Sequence, residues 1–320
     1  MNNYTNPYNK TVKFAKITAI ASAALAAVIA LSYFFALRFD FDYSIGHFER
    51  GSALFYILAG AIIVAVALSA AVSLFAKKKA SITSIPSASG APTFISVFAA
   101  VMAAAALISE IFALTSQRAP GKLAMISAIG LIAVVLGVST LISDKTNTSK
   151  LAQIALPLAA LATAVRILDA YFDQTLTLNS PVRYITMLAE LSVMLLLLSE
   201  SRISFGIEIT ENGGTARRAF LPFYLFANNA CASLAIGFSV GALLHELIPM
   251  DITDAKAVTA THPSLFRLAL YLTIGALALA RALTVHKIIG EYIPSPFENK
   301  KKDSTDEDLA ETEEIQSEKE

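Results

Sequence analysis

Arg166, Asp169 and Asp173 lie in or at the end of one long apolar run, and Arg183, Thr186 and Glu190 lie in the next. Spacings of three and four residues place each set on one helical face. Inside a hydrocarbon layer, arginine and carboxylate can hold an anion, carry a proton or lock two helices together. Each charge costs about 2.5 to 3.5 kcal/mol at mid-membrane unless it faces protein or water. Glu190, about two turns in, is the deepest acid and needs a partner from another helix, for which Arg166 is the candidate. Two readings stay open. Arg166, Asp169 and Glu190 build a polar vestibule, with Arg166 binding an anionic group or gating against Asp169 and Glu190 coupling to protons. Otherwise the same residues form a structural network.

Other polar positions extend the list. Glu110 sits one turn from the outer end of the third apolar run, and Asn228 and Asn229 lie near the middle of the seventh, able to bind across helices or to coordinate a polar ligand. Ser233, Gly237 and Gly241 form a ladder of small residues at four-residue intervals that lets another helix approach closely. Arg281, one turn from an inner end, is expected to snorkel to the interface. Pro157 and Pro222 are candidate kinks.

Several motifs are false friends. Gly237-Phe238-Ser239-Val240-Gly241 spells a serine-hydrolase elbow, but that motif works only on a strained strand-to-helix turn, and here it lies within an apolar run. His245-Glu246 begins a zinc-protease motif, yet Pro249 stands where the second histidine would be. His47, His245 and His262, all read as external, would at most make a weak metal site. Cys231 is the single cysteine, so no intramolecular disulfide or multi-cysteine metal site is possible. No Walker-type glycine loop is present. The expectation is a non-enzymatic protein without a cofactor and without nucleic acid as a partner.

The elements that must position these residues are transmembrane helices. Hydrophobic residues make up 55% of the chain, above the share a soluble domain carries. Continuous apolar runs of about 20 residues exclude a barrel and point to an all-α polytopic bundle. About eight spans are expected: 17–37, 52–76, 94–114, 123–143, 151–172, 182–199, 219–244 and 265–285. The first follows Lys10, Lys13 and Lys16 and reads as an uncleaved helix. Lys77, Lys78, Lys79, Lys145, Lys150, Arg202, Arg217, Arg218 and Lys287 fall on the side of the N-terminus, against fewer on the other, so both termini are expected in the cytoplasm.

Residues 1–16 then form a cytoplasmic N-terminus, 17–287 the membrane domain and 288–320 a largely disordered acidic tail, with Asp303, Asp306, Glu307, Asp308 and further acids crowded at its end. The loops are too short to hold an ATPase or kinase domain. Arg166-x-x-Asp169, Asn179-Ser180-Pro181 and Glu200-Ser201-Arg202 resemble segments of uncharacterised multi-pass membrane proteins of Gram-positive bacteria. That resemblance covers the fifth and sixth spans and implies no activity. The functional expectation is permeation or secondary transport of a small polar solute across a plasma membrane. The alternative is a non-catalytic membrane partner or sensor subunit whose acidic tail recruits cytoplasmic proteins.

Overall fold

The computed structural model of the protein describes residues 9–43, 45–76, 80–82, 91–116, 150–172, 180–206, 220–248, 264–285 and 289–291, with isolated positions between 122 and 134. Seven helices carry this part of the chain: α1 (Asn9–Phe39), α2 (Ala53–Phe75), α3 (Ala91–Ser116), α4 (Lys150–Phe172), α5 (Pro181–Gly206), α6 (Phe220–Leu247) and α7 (Leu265–Thr284). All but α3 contain a stretch long and apolar enough to cross a membrane; α3 holds the shorter apolar stretch Ala100–Ser109. The chain is a multi-pass membrane protein built on helices.

Side-chain size sorts each helix between lipid and protein. On α2, Ala61, Ala65 and Ser69 are buried while Ile57, Ile63, Val64 and Leu74 point outward. Outward aliphatics lose nothing in lipid, and small inward residues let backbones come close. α1 starts well before its apolar run, carrying Lys10, Lys13 and Lys16 as an extra helical stretch. α5 continues past Glu200 to Gly206, which restores a full crossing to what reads as a short span. Pro222 leaves α6 unbroken, because a proline in the first turn lacks only an N–H that has no helical partner there. Pro157 likewise sits within a continuous α4.

α6 is the central helix. It packs against α1, α2, α5 and α7, while α4 lies against α5 and α3 against α7. Its small-residue ladder faces α1: a Cβ on Gly237 would come within 2.7 Å of Ile29 Cβ, and one on Gly241 within 2.7 Å of the Ala30 carbonyl oxygen. The α6–α7 contact is equally close at Gly275, where a Cβ would lie 2.7 Å from Ile236 Cγ1. An apolar groove of about 310 Å³ separates α2 from α5, lined by residues that include Phe55, Ile62, Tyr184 and Leu188.

The all-α expectation misses four short strands. β1 (Phe41–Asp42) and β2 (His47–Phe48) form an antiparallel hairpin after α1, turning through Gly46 at φ 73°. β3 (Ala80–Ile82), just after α2, pairs antiparallel with β4 (Ile289–Glu291), just after α7. β4 therefore draws the first residues assigned to the tail into the fold. Most of the fourth expected span, Asp173, His262 and the remainder of the tail lie outside the described residues, as does the side chain of Glu110, whose backbone belongs to α3.

Candidate functional site

Three helices bring their polar groups together in the half of the bundle where α1 ends and α5 and α7 begin. Arg166 lies about 9 Å from the end of α4, Tyr271 about 9 Å into α7 and Glu190 about 13 Å into α5, counting 1.5 Å per residue. The Tyr271 hydroxyl donates to Glu190 Oε1 at 2.6 Å, and Arg166 Nη2 donates to the Tyr271 oxygen at 3.1 Å. Arg166 Nη2 also stands 3.5 Å from Glu190 Oε1. None of the three is more than 3% exposed, so the cluster is closed to both lipid and water in this conformation. Arg166 thus reaches across to α5 and α7, and Asp169, three residues along α4, adds its charge to the field at Glu190. The second carboxylate oxygen of Glu190 is buried with no hydrogen-bond partner among the described residues.

Arg183 closes this layer from above. It is buried, and its Nη1 donates to the Tyr171 carbonyl at 3.1 Å, tying the start of α5 to the end of α4. Thr186 turns its hydroxyl back to the Val182 carbonyl at 2.9 Å, a bond within its own helix.

A second ionic cluster lies in the opposite half, where the snorkelling expectation for Arg281 is overturned. Arg281 is only 6% exposed and forms an ion pair with Glu200 of α5, itself buried. A carboxylate within reach makes pairing in the interior possible, whereas snorkelling is the resort of an unpaired cation. Tyr224 of α6 is fully buried within electrostatic reach of both charges, and its hydroxyl has no hydrogen-bond partner among the described residues.

The two clusters share a register. Glu190 and Glu200 are ten residues apart on α5, and Tyr271 and Arg281 are ten apart on α7, so each helix carries its polar groups about 15 Å apart. Because the partners meet in the same order, α5 and α7 run in the same direction. α6 passes antiparallel beside them: Tyr224 lies within reach of Glu200, and Cys231, later on α6, meets Ser192, earlier on α5.

The paired asparagines of α6 divide the two roles left open for them. Asn229 faces α1: its Nδ2 donates to the Leu225 carbonyl at 2.8 Å, and its Oδ1 accepts from Ser22 at 3.1 Å. That is a packing bond. Asn228, about 100° further round, donates to the Tyr224 carbonyl at 2.8 Å, but its Oδ1 is buried with no partner among the described residues. Ser239, three turns away on the same face, also has a buried, unpartnered hydroxyl. Its helical setting removes the hydrolase-elbow geometry altogether.

The β1–β2 hairpin packs at the end of the bundle where α1 finishes. Tyr43 donates to the Leu37 carbonyl at 2.9 Å, so its contact with His245 Nε2 at 2.9 Å is one in which the imidazole N–H donates. Burial first, and then the neighbouring Glu246 carboxylate, push the Tyr43 phenol up to about 12. Phe41 packs edge-on against both Tyr43 and Phe48 and anchors the hairpin in the core.

Tyr271, Tyr224, Glu200 and Arg281 are absent from the sequence-derived site. A buried tyrosine leaves no mark in an apolar run, but the matched ten-residue spacing of 190/200 and 271/281 is visible in the sequence once the helices are known to run side by side. No family model, curated protein or solved structure matches this chain.

Proposed function

We propose that this protein is a secondary transporter or permeation protein for a small polar solute or ion, held here with both ends closed. The outer cluster of Arg166, Glu190 and Tyr271 serves as one gate and the Glu200–Arg281 pair as the other. One observation carries the reading: two buried ionic clusters about 15 Å apart on α5 flank a central helix whose Asn228, Tyr224 and Ser239 leave polar atoms unsatisfied among the described residues. Scaffold helices in lipid satisfy their buried polar groups, and those left over call for water, an ion or a ligand. Both gates join α5 to α7, the first adding α4, so opening one requires these helices to tilt apart at that end while the other gate stays shut as the pivot.

The strand pairs support eight spans with both termini on one side. β3 follows α2 and β4 follows α7, and their pairing calls for an even number of crossings between them, whereas five described helices intervene. Tyr43 and His245, after α1 and near the end of α6, repeat that parity. A Cβ on Gly130, itself described, would lie 2.8 Å from Ala162 Cβ of α4, and that closeness supports an additional crossing before α4. The lysines and arginines expected on that side support a cytoplasmic position for the paired β3 and β4.

The test uses Cys231→Ser as background, with single replacements Thr186→Cys, Asp169→Cys and Glu190→Cys, exposed to a membrane-impermeant thiol reagent from outside. Labelling of folded protein at 186 or 190 is the expected result, since an outward-open state must wet that face. Protection at all three sites refutes the transport reading and leaves a dry scaffold, which is what a partner or sensor subunit needs.

A further inference from the structure

We propose that the ion carried by this bundle is the proton, with Glu190 and Glu200 as its two stations. The inference rests on the transport reading and names its coupled species. Three features select the proton over a larger ion.

The first is electrostatic. Glu190 is matched by Arg166 and Glu200 by Arg281, so a metal cation approaching either carboxylate meets a guanidinium and an anion meets a carboxylate. A proton joins the carboxylate itself and displaces nothing. The second is steric. Glu190, Tyr271, Asn228, Tyr224 and Glu200 are at most 5% exposed, and the groove between α2 and α5 is lined by none of them. A solute needs that region to open, whereas a proton needs only single waters.

The third is the pattern of unsatisfied atoms. Glu190 Oε2 is a buried lone-pair site with no partner among the described residues, because Tyr271 and Arg166 both address Oε1. On α6, between the levels of the two carboxylates, Asn228 Oδ1 is an unpartnered acceptor and the Tyr224 hydroxyl an unpartnered donor among the described residues. Water bridging such groups between the two carboxylates makes a relay, since a buried water needs two or more polar partners.

The balance is simple. A proton from outer water binds Glu190 Oε2 and converts the carboxylate to a neutral acid. Arg166 then loses its counter-ion at Glu190 and turns to Asp169 on its own helix, which loosens the joint between α4, α5 and α7. The proton leaves through the relay to Glu200 and from there to inner water, so one positive charge crosses and only O–H bonds are made and broken.

Infrared difference spectroscopy of the full chain in lipid, stepped from alkaline to acidic buffer, tests this without requiring a known solute. The expected result is a protonated-carboxyl C=O band that titrates with the bulk, part of which is lost in Glu190→Gln and a separate part in Glu200→Gln. The paired changes Glu190→Gln/Arg166→Gln and Glu200→Gln/Arg281→Gln keep each cluster neutral, and they give the same losses should a single variant fail to fold. No titrating carboxyl component lost in these variants, or loss in only one cluster, overturns the proposal. If that happens while Thr186→Cys is labelled, transport stands with another ion. If the band titrates while all three cysteines are protected, the transport reading falls instead.

Discussion

Gly241→Ala sets a single methyl group against the backbone of α1. Its carbon would lie 2.7 Å from the Ala30 carbonyl oxygen and 3.0 Å from Tyr33 Cδ1. Relief requires α1 itself to shift, because a carbonyl cannot rotate away as a side-chain tip can. Overpacking of this kind costs about 1 to 3 kcal/mol, and the better helix propensity of alanine returns up to about 1 kcal/mol. A net loss of about 1 to 2 kcal/mol follows, roughly a tenfold change in the folding equilibrium. Gly60 on α2 provides the opposite sign, since its Cβ would meet nothing within 4 Å. Gly60→Ala is expected to stabilise by about 0.5 to 1 kcal/mol. Reversible unfolding in mixed micelles, followed by circular dichroism, reads both variants against wild type. A Gly241→Ala protein as stable as Gly60→Ala would refute the close α1–α6 approach.

Three further outcomes are expected. Glu200→Gln, which strands Arg281, should cost about 3 to 5 kcal/mol, with Glu200→Gln/Arg281→Gln recovering more than half of that; a loss below about 1 kcal/mol for the single change would return Arg281 to the interface. Tyr271→Phe removes the hydrogen bonds to Glu190 and from Arg166 and should cost about 1 to 2 kcal/mol, while Tyr224→Phe, deleting an unpartnered hydroxyl, costs less in the same unfolding assay. Tyr43 should leave stability unaffected below its unshifted value of 10.0 and subtract from it as the pH climbs towards about 12, because the unfolded chain loses that proton first. Alkaline denaturation of Tyr43→Phe should lack that component, and an identical profile would sink the assignment.

The helices were legible because lipid imposes one rule on every backbone group, and six stretches obey it visibly. The pairing of Arg166 with Glu190 was legible for a related reason: two charges that cannot reach water must find each other. Arg281 and Glu200 were not, because each stands close enough to a helix end for the interface to offer an alternative, and only the packing of α5 beside α7 decides between them. Asn228 and Asn229 are chemically identical neighbours. Which of them meets α1 depends on the rotation of α6, which neither composition nor spacing specifies. The strands are two or three residues long, too short for alternation to register.

The embrace of α6 by α1 has a consequence for how the protein is made. Ser22 and Asn229 are 207 positions apart, and between them α2, α3, α4 and α5 must leave the ribosome before the bond can form. α1 therefore waits with its partner face, including Ile29 and Ala30, turned to lipid. Lipid tolerates that face, since its aliphatic surface asks for no water and its backbone is already satisfied. The nascent chain can thus stay half-assembled without exposing anything for aggregation to seize. The architecture closes late, when the penultimate described helix slots into a ring that earlier helices have left open.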